Sequence, residues 1–199
     1  MTLLEPTPTW GSFAELATEA STCTKCPLAE ARTQVVFGVG DEHADLVFVG
    51  EGPGAEEDRQ GIPFVGRAGQ LLTKLIEGVG LRREDVYICN VVKCRPPGNR
   101  DPLPPEIDAC RPYLEAQLDF LAPRVVVTLG NFATRLLLDT KEGITRLRGR
   151  EVPYRDGTAV LIPTLHPAAV LRTGGGTALA QARADFVLVK RALARPRRA

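Results

Sequence analysis

Residues 45–50, "DLVFVG", form a short apolar run that ends on a glycine, and the glycine-rich stretch "EGPG" follows at once. Three runs of the same kind come later in the chain: "DVYICNVV" (85–92), "RVVVTLG" (124–130) and "AVLIPTL" (159–165). Apolar and β-branched runs without polar alternation are typical of strands that are buried on both faces of a parallel sheet. We therefore predict four strands in one central, mainly parallel sheet.

Stretches with helical character separate or follow these strands, at residues 66–79, 105–121, 131–138 and 177–194. A first helix is predicted in "WGSFAELATEA", with Ser12 as its N-cap and Glu15 at the capping-box position. Strands that alternate with helices indicate an α/β protein whose helices cover both faces of the sheet.

The predicted fold class is thus α/β, a three-layer α/β/α sandwich around a mainly parallel sheet of about four strands. We expect one domain over residues 1–199, with residues 1–10 loose and residues 195–199 forming a frayed tail. In open parallel sheets, ligands bind beyond the carboxyl ends of the strands. Three motifs lie at those ends: "GEGPG" after the first strand, Asn90 near the end of the second, and "HPAAVLR" after the fourth. Their shared position predicts a binding site.

Four of the five cysteines have the spacing of a ligand set. Cys23 and Cys26 form a C-x2-C pair that follows a helix, whereas a thioredoxin-type disulfide pair follows a strand. Cys89 lies in an apolar strand and is expected to be an inert small hydrophobe. Cys94 and Cys110 complete a set of four thiolates, which suits tetrahedral zinc or a [4Fe–4S] cluster. The second pair is not a C-x2-C knuckle, and this favours the cluster.

Composition restricts the class of protein. The 199 residues are 44% hydrophobic, and no apolar run approaches the roughly 18 residues of a membrane span. The N-terminal "MTLLEPTPTW" is a poor secretory signal. An odd number of cysteines argues against a closed set of disulfides and favours a reducing compartment. We expect a cytoplasmic protein with no membrane partner.

Charge is distributed unevenly, although the formal net charge is only +1. Residues 141–199 contain 12 Lys and Arg against 4 Asp and Glu, while residues 1–140 contain 13 against 20. Such asymmetry indicates a polyanion on one side of the molecule. A solvated basic C-terminal helix and tail is the alternative.

Longer motifs identify a family. "GEGPGAEEDRQGIPFVGRAGQLL" (50–72), "VYICNVVKCRPPGNR" (86–100), "HPAAVLR" (166–172) and the cysteine spacing resemble the family 4 uracil-DNA glycosylases, the iron–sulfur members of the uracil-DNA glycosylase superfamily. The resemblance covers roughly residues 13–194. It implies a monomeric, monofunctional glycosylase of base excision repair that acts on uracil in single- or double-stranded DNA. It also implies that Cys23, Cys26, Cys94 and Cys110 hold a structural [4Fe–4S] cluster.

The resemblance further implies a uracil pocket of six residues: Glu51, Gly52, Pro53, Phe64, Asn90 and His166. Side-chain chemistry supports the roles of three of them. An aromatic face such as that of Phe64 can receive an extruded base. The carboxamide of Asn90 matches the O4 and N3–H of uracil, whereas cytosine inverts this pattern. An imidazole donor from His166 at O2 would stabilise the charge on the departing base, and one such donor is typically worth ~3 kcal/mol.

The sequence motifs do not single out one residue to orient the attacking water. Related families have an aspartate in the first pocket loop, at the position where this chain has Gly52. Glu51 is the first candidate here and Glu57 the second. Because the transition state resembles an oxocarbenium ion, departure of the base does most of the work, and a strong general base is not required.

Contacts to DNA are expected from the "HPAAVLR" motif. Arg172 and nearby backbone amides are candidates to bind phosphate, and Val170 or Leu171 to wedge into the gap left by the flipped nucleotide. A Val-Leu pair at a helix start is otherwise ordinary core. The proline-rich stretches "PPGNR" and "DPLPP" are interpreted as rigid turns without chemistry.

Two other functions are compatible with parts of the sequence. One is that of the relative that traps uracil-DNA covalently through its histidine, but that type has "GEQPG" and an extra basic loop with a second histidine, which this chain lacks. The other is a non-enzymatic iron–sulfur module, either an electron carrier or a DNA-binding sensor. Phe64, Asn90 and His166 argue against it, since an electron carrier needs no base pocket.

Overall fold

The structure is a computed structural model that describes residues 10–174 and 176–196. The expected loose N-terminus and frayed C-terminal tail lie mostly outside this part of the chain, at residues 1–9 and 197–199. The strands are β1 Val39–Gly40, β2 Leu46–Gly50, β3 Tyr87–Asn90, β4 Val125–Leu129, β5 Val152–Tyr154 and β6 Ala159–Thr164. The helices are α1 Phe13–Ser21, α2 Leu28–Ala31, α3 Ala55–Gln60, α4 Arg67–Glu77, α5 Pro104–Leu121, α6 Asn131–Leu138, α7 Ile144–Leu147, α8 Pro167–Arg172 and α9 Gly176–Leu193.

All these strands belong to a single sheet, in the order β1-β3-β2-β4-β6-β5. The four predicted strands are confirmed as β2, β3, β4 and β6, and they run parallel to one another. The predicted number of about four was too low, because β1 and β5 add antiparallel edges. These edge strands have two and three residues, too few for a periodic sequence pattern to reveal them.

The order of the strands creates a crevice. The chain passes from β2 to β3 on one side, and then crosses to β4 on the other side of β2. Where consecutive connections leave a parallel sheet in opposite directions, the loops at the carboxyl ends diverge and leave room for a ligand. The loops that follow β2 and β4 border this opening.

The strand side chains divide between two cores, as expected for a sheet covered on both faces. In β2, Leu46 and Phe48 pack with residues of α4, α8 and α9, while Val47 and Val49 pack with residues of α5 and α6. The aromatic rings of Phe48 and Phe186 stack at 5.6 Å. The predicted three-layer architecture is therefore confirmed.

The first helix begins as the sequence predicts and packs on α5. Ser12 Oγ accepts a hydrogen bond from the Glu15 backbone N–H at 3.1 Å. The Glu15 carboxylate accepts from Gly11 N–H at 2.9 Å, one residue before the cap position. Leu16 packs against Tyr113 of α5, and this contact holds the C-x2-C segment beside α5. Among the described helices, none has both the length and the apolar character needed to cross a membrane.

Candidate active site and cysteine recess

A cleft of about 520 Å³ opens at the carboxyl edge of the sheet. Loops that follow β2, β3, β4 and β6 contribute its walls. The lining includes every residue of the expected uracil pocket: Glu51, Gly52, Pro53, Phe64, Asn90 and His166. The structure therefore brings these six residues together, and their individual roles stay predictions.

The Asn90 amide and the Phe64 ring both lie over the end of β2, and the part of the cleft beside them is a slot. A Cβ atom on Gly50 would lie 2.4 Å from Asn90 Oδ1 and 2.5 Å from Phe64 Cζ. Because real Cβ atoms do not approach other atoms so closely, only glycine allows the amide and the ring to meet here. Gly52 has a similar constraint, since its Cβ would lie 2.7 Å from Val92 Cγ2. An aspartate at that position would displace a buried valine.

The side-chain oxygen of Asn90 faces this slot as a hydrogen-bond acceptor without a partner in the described part of the chain. Its side chain is 1% exposed, and no described residue donates a hydrogen bond to its Oδ1. A buried polar atom without a partner is destabilising by about 1–3 kcal/mol, and such atoms are rare unless a ligand or water satisfies them. The slot therefore suits a small molecule that carries an N–H donor.

Phe64 is held in an uncommon backbone conformation. Its φ angle is 54°, a left-handed value that is rare for an aromatic residue and marks strain at functional sites. Gly69 of α4 approaches so closely that its Cβ would lie 1.8 Å from the Phe64 carbonyl oxygen. Arg83 donates to the Pro63 carbonyl at 2.7 Å. The packing of α4 and the arginine together support the loop.

The carboxylate of Glu57, the second candidate for orienting water, is hydrogen-bonded to backbone N–H groups. Its Oε1 accepts hydrogen bonds from Val65 N–H at 2.9 Å and Gly66 N–H at 2.8 Å. Its Oε2 accepts from Gly54 N–H at 3.2 Å. Glu57 therefore ties the "GEGPG" loop to the loop that carries Phe64. This arrangement favours positioning over water activation.

His166 is the N-cap of α8, and its ring lies beside Phe64 with 5.8 Å between centroids. Its Nδ1 accepts a hydrogen bond from Ala168 N–H at 3.1 Å, so the proton of the neutral ring resides on Nε2. Burial, with a smaller contribution from Arg172, lowers the pKa of His166 to about 4. The imidazole is therefore neutral at physiological pH, with its Nε2–H left as a donor.

Glu51, the first candidate for orienting water, has an unusual acidity. Burial raises its pKa to about 7, Asp101 adds to this effect, and Arg172 opposes it. In the part of the chain that the structure describes, no group donates a hydrogen bond to the Glu51 carboxylate. Catalytic carboxylates are often tuned in this way toward the working pH.

The DNA-contact predictions are confined to one short helix, α8, and one of them is wrong. Val170 is 1% exposed and packs in the core between α8 and the sheet, so it cannot wedge into DNA. Leu171 is 37% exposed and stays a prediction. Arg172 is exposed and lines the cleft, and its contact with phosphate also stays a prediction.

Sequence reasoning missed two parts of the cleft wall. Residues 99–102, from the stretch interpreted as a rigid turn, line it, and among them Asp101 acts on Glu51. Residues 130–132, after β4, also line the cleft. Both stretches follow a parallel strand at its carboxyl end, so the rule that located "GEGPG" also points to them.

A second recess is lined by four cysteines: Cys23, Cys26, Cys94 and Cys110. These residues come from the α1–α2 connection, the segment after β3, and α5. All five cysteines are free thiols. Cys89 is buried in β3 and packs in the core, as expected for a small hydrophobe. The structure thus separates Cys89 from the other four.

Hydrogen-bond donors surround these sulfurs. Arg32 Nη1 lies 3.4 Å from Cys94 Sγ and donates to the Cys23 carbonyl at 2.6 Å. The backbone N–H of Lys93 donates to Cys110 Sγ at 3.3 Å. Burial raises the pKa of Cys94, and it raises the pKa of Cys110 to about 11.

Cations and N–H donors beside four thiols suit a group that binds as thiolates. Over residues 10–174 and 176–196, no three His, Cys, Asp or Glu side chains are arranged to hold a single metal ion. A four-iron cluster binds its thiolates at separate iron atoms, so its ligands need not converge on one point. The donor set and its surroundings fit such a cluster.

Comparison with known proteins agrees with this geometry. The family model for the uracil DNA glycosylase superfamily matches residues 37–189. A type-4 uracil-DNA glycosylase of Thermotoga maritima is 54% identical over 151 residues, which are 75% of this chain and 78% of that protein. One of Archaeoglobus fulgidus is 47% identical over 166 residues, 80% of this chain and 83% of that protein. One of Sulfurisphaera tokodaii is 45% identical over 167 residues, 80% of this chain and 76% of that protein.

The match to the family model spans most of the chain, and each relative is matched over about three quarters or more of its own length. The chain therefore belongs to the uracil-DNA glycosylase superfamily, within the type-4 family.

Proposed function

We propose that this protein is a DNA glycosylase that hydrolyses the N-glycosidic bond of uracil in DNA and leaves an abasic site for base excision repair. The observation that carries the proposal is the buried Oδ1 of Asn90, which has no partner among the described residues and lies, with the Phe64 ring, over Gly50 in the same cleft as His166. An acceptor, a π-face and a donor are the groups that uracil requires.

Recognition follows from the pattern of donors and acceptors on the base. The Asn90 Oδ1 accepts the N3–H of uracil, and its Nδ2 donates to O4. Cytosine has an acceptor at N3 and an amino group at C4, so both contacts become unfavourable and buried groups stay unpaired. Phe64 stacks on the extruded ring and replaces the base stacking that is lost on flipping.

Bond cleavage sends the electron pair of the glycosidic bond onto the base, and negative charge develops at O2. The Nε2–H of His166 donates to this oxygen. Because the low pKa keeps the ring neutral, His166 acts as a hydrogen-bond donor rather than as a proton source. A donor that is already oriented by the Ala168 N–H stabilises this charge without reorganisation.

The remaining sugar cation is captured by water. The ionised Glu51 carboxylate stabilises the cation and accepts the proton of the water as its oxygen bonds to C1′. Glu57 holds the two pocket loops in place. No residue that lines the described part of the cleft is a lysine, which supports hydrolysis without a Schiff base and therefore without a lyase step.

We also assign a [4Fe–4S] cluster to Cys23, Cys26, Cys94 and Cys110. When bound, the cluster supplies iron–thiolate bonds that join the end of α1, the segment after β3, and α5. The segment after β3 directly follows Asn90, so this connection stabilises the base pocket. The glycosidic chemistry takes place in the other cleft, among residues that contain no thiol.

The protein is further proposed to act as a single-domain monomer in the cytoplasm, on uracil in single- or double-stranded DNA. All six residues of the expected uracil pocket meet within a single chain, which supports a monomer. Five free thiols are typical of a reducing compartment.

Release of free uracil from an oligonucleotide with one deoxyuridine tests the proposal. We expect release by the wild type but none from the matched thymine or cytosine oligonucleotides. Asn90→Ala and His166→Ala should each lower kcat by about 100-fold or more, as loss of an oxyanion donor does. His43→Ala is the matched control, since His43 is the other histidine of the chain and is exposed. Wild-type protein that binds this DNA without releasing uracil would contradict the proposal.

A further inference from the structure

A buried lysine lies between the cysteine recess and the base pocket. Lys93 is 2% exposed, follows Asn90 by three residues and directly precedes Cys94. Its Nζ donates to the backbone carbonyl of Asn90 at 2.8 Å and to Oε1 of Gln117. Its backbone carbonyl accepts from Val36 N–H at 2.8 Å. The lysine is therefore held at both its main chain and its side chain.

The partners of this ammonium group are neutral. Besides the two carbonyl oxygens, the Phe37 ring lies 6.0 Å from Nζ. No carboxylate of the described residues forms an ion pair with Lys93. A buried charge without an opposite charge is strongly unfavourable, and proteins pair such groups with an anion.

The anion is expected on the side of the cysteines. Lys93 lines the recess that the four cysteines share. Its backbone N–H bonds to Cys110 Sγ at 3.3 Å, and its side-chain charge acts on the same sulfur. A cluster held by four thiolates brings net negative charge into this recess, at the position where the lysine lacks a counter-charge.

We propose that Lys93 is a positioning residue that balances the charge of the cluster and connects the cluster to the carbonyl of Asn90. The inference rests on the cluster assigned above. This role explains how a group outside the catalytic cleft supports uracil recognition. Without the negative charge of the cluster, burial of the Lys93 ammonium is unfavourable. The carbonyl of Asn90, at the end of β3, then loses its hydrogen bond from Nζ.

Three variants test this role. Lys93→Met removes the charge and keeps a long apolar side chain, whereas Lys93→Arg keeps the charge. Lys25→Met is the matched control, because Lys25 lines the same recess but is exposed and pairs with Glu19 at 2.9 Å. Iron and acid-labile sulfide content, cluster loss to a chelator, the reduction potential of the cluster and uracil release are measured on each purified protein.

Removal of a positive charge near a cluster lowers its reduction potential. We expect a more negative potential and about tenfold faster cluster loss for Lys93→Met, since the cluster then lacks its buried partner. Its kcat/KM for uracil release should also fall about tenfold, because Asn90 is displaced. Lys93→Arg keeps the buried charge, and the charge that Lys25→Met removes is exposed and screened by water and salt, so both variants should keep near wild-type potentials and rates of cluster loss. Failure of Lys93→Met to assemble a cluster, with assembly intact in the other two, also supports the proposal.

A potential and chelator resistance of Lys93→Met equal to those of Lys25→Met would overturn the proposal. The same holds if Lys93→Arg behaves as Lys93→Met, since charge would then not be the property that matters. Wild-type protein without iron would overturn the cluster assignment and this inference together. A wild type that holds iron and releases uracil, with no effect at position 93, would overturn this inference alone.

Discussion

Glu51 and His166 show how one cleft shifts two titratable groups in opposite directions. Burial raises the pKa of the Glu51 carboxyl to about 7 and lowers that of the His166 imidazole to about 4. In both cases burial favours the neutral form. The histidine is then a neutral donor over the physiological range, whereas the carboxyl changes charge within it. The pH dependence of the reaction should therefore belong to Glu51.

We predict that kcat falls as the pH decreases through about 7, because protonated Glu51 can neither accept a proton from water nor stabilise the sugar cation. His166 is not protonated until the pH approaches 4 and adds no change above pH 5. Glu51→Gln should lose this pH dependence and lower kcat about 100-fold at pH 8, as loss of a general base does. Single-turnover rates between pH 5 and 9 are the measurement.

The stability of the same variant provides the control. The folded-state pKa of Glu51 is above its ordinary value of 4.5, so the contribution of this residue to stability is full below pH 4.5 and is lost as the pH rises through 7. Glutamine stays neutral, and Glu51→Gln should unfold at a higher temperature than the wild type at pH 8. An unchanged pH profile in this variant would remove Glu51 from the mechanism.

The sequence predicted which residues form the site better than it predicted the surroundings of each residue. The family resemblance of the motifs was enough to select Phe64, Asn90 and His166, which the structure brings into one cleft. Sequence could not show that Glu57 is occupied by three backbone N–H groups, or that Val170 is buried. Both depend on how α3 and α8 pack after the chain folds.

At the scale of secondary-structure elements, the packing of α4 against the loop that precedes it determines where Phe64 lies in the slot. Phe64 precedes α4 in a left-handed conformation, and its carbonyl can pack against the first turn of α4 because Gly69 carries no Cβ. Glu57 holds the other side of the same loop. The backbone that carries the ring is thus held on one side by α4 and on the other by Glu57.

Gly69→Ala should displace the Phe64 loop, since the new methyl group would lie 1.8 Å from a backbone oxygen. A shift of about 1 Å in a substrate-positioning group lowers the rate about 100-fold, and we expect a loss of this size in kcat/KM for uracil release. Gly78→Ala, at the C-cap of the same helix, is the control, because its Cβ would lie 3.1 Å from the Lys74 carbonyl oxygen and needs a far smaller shift. Equal activity of the two variants would contradict the role given to Gly69.

The positions of helices and strands were predictable where the apolar sequence pattern is long. The four central strands and five of the helices are near their predicted positions because each buries a continuous apolar stripe. The edge strands β1 and β5 escaped prediction, since Val39 and Gly40 are exposed and β5 is only partly buried. Short α3 and α8 were also missed, because fewer than two turns cannot establish a 3.6-residue period.

At the scale of the whole molecule, the cysteine recess joins parts of the chain that are far apart in sequence. The end of α1, the segment after β3, and α5 meet there. Helix α1 also packs on α5 through a small buried core of Leu16, Ala20 and Tyr113 and through a partly buried ring contact between Phe13 and Phe120. A helix held by so few buried residues gains much from a covalent connection. The cluster should therefore stabilise the fold as well as the pocket.

Cys26→Ala should abolish the visible absorbance of a bound iron–sulfur cluster and lower the melting temperature of the protein. Metal–thiolate sites contribute directly to folding free energy, so the loss should be several degrees or more. Cys89→Ala is the matched control, since Cys89 is a buried cysteine outside the recess, and this variant should keep its colour. Absorbance and iron content retained in Cys26→Ala would contradict the ligand assignment.

A crystal structure of the protein with free uracil bound tests most directly whether the cleft is built for this base. The account predicts the uracil ring on the face of Phe64, with its N3 about 2.7–3.2 Å from Asn90 Oδ1 and its O2 at the same range from His166 Nε2. Uracil bound elsewhere, or bound in the cleft with Asn90 Oδ1 still unpaired, would contradict it.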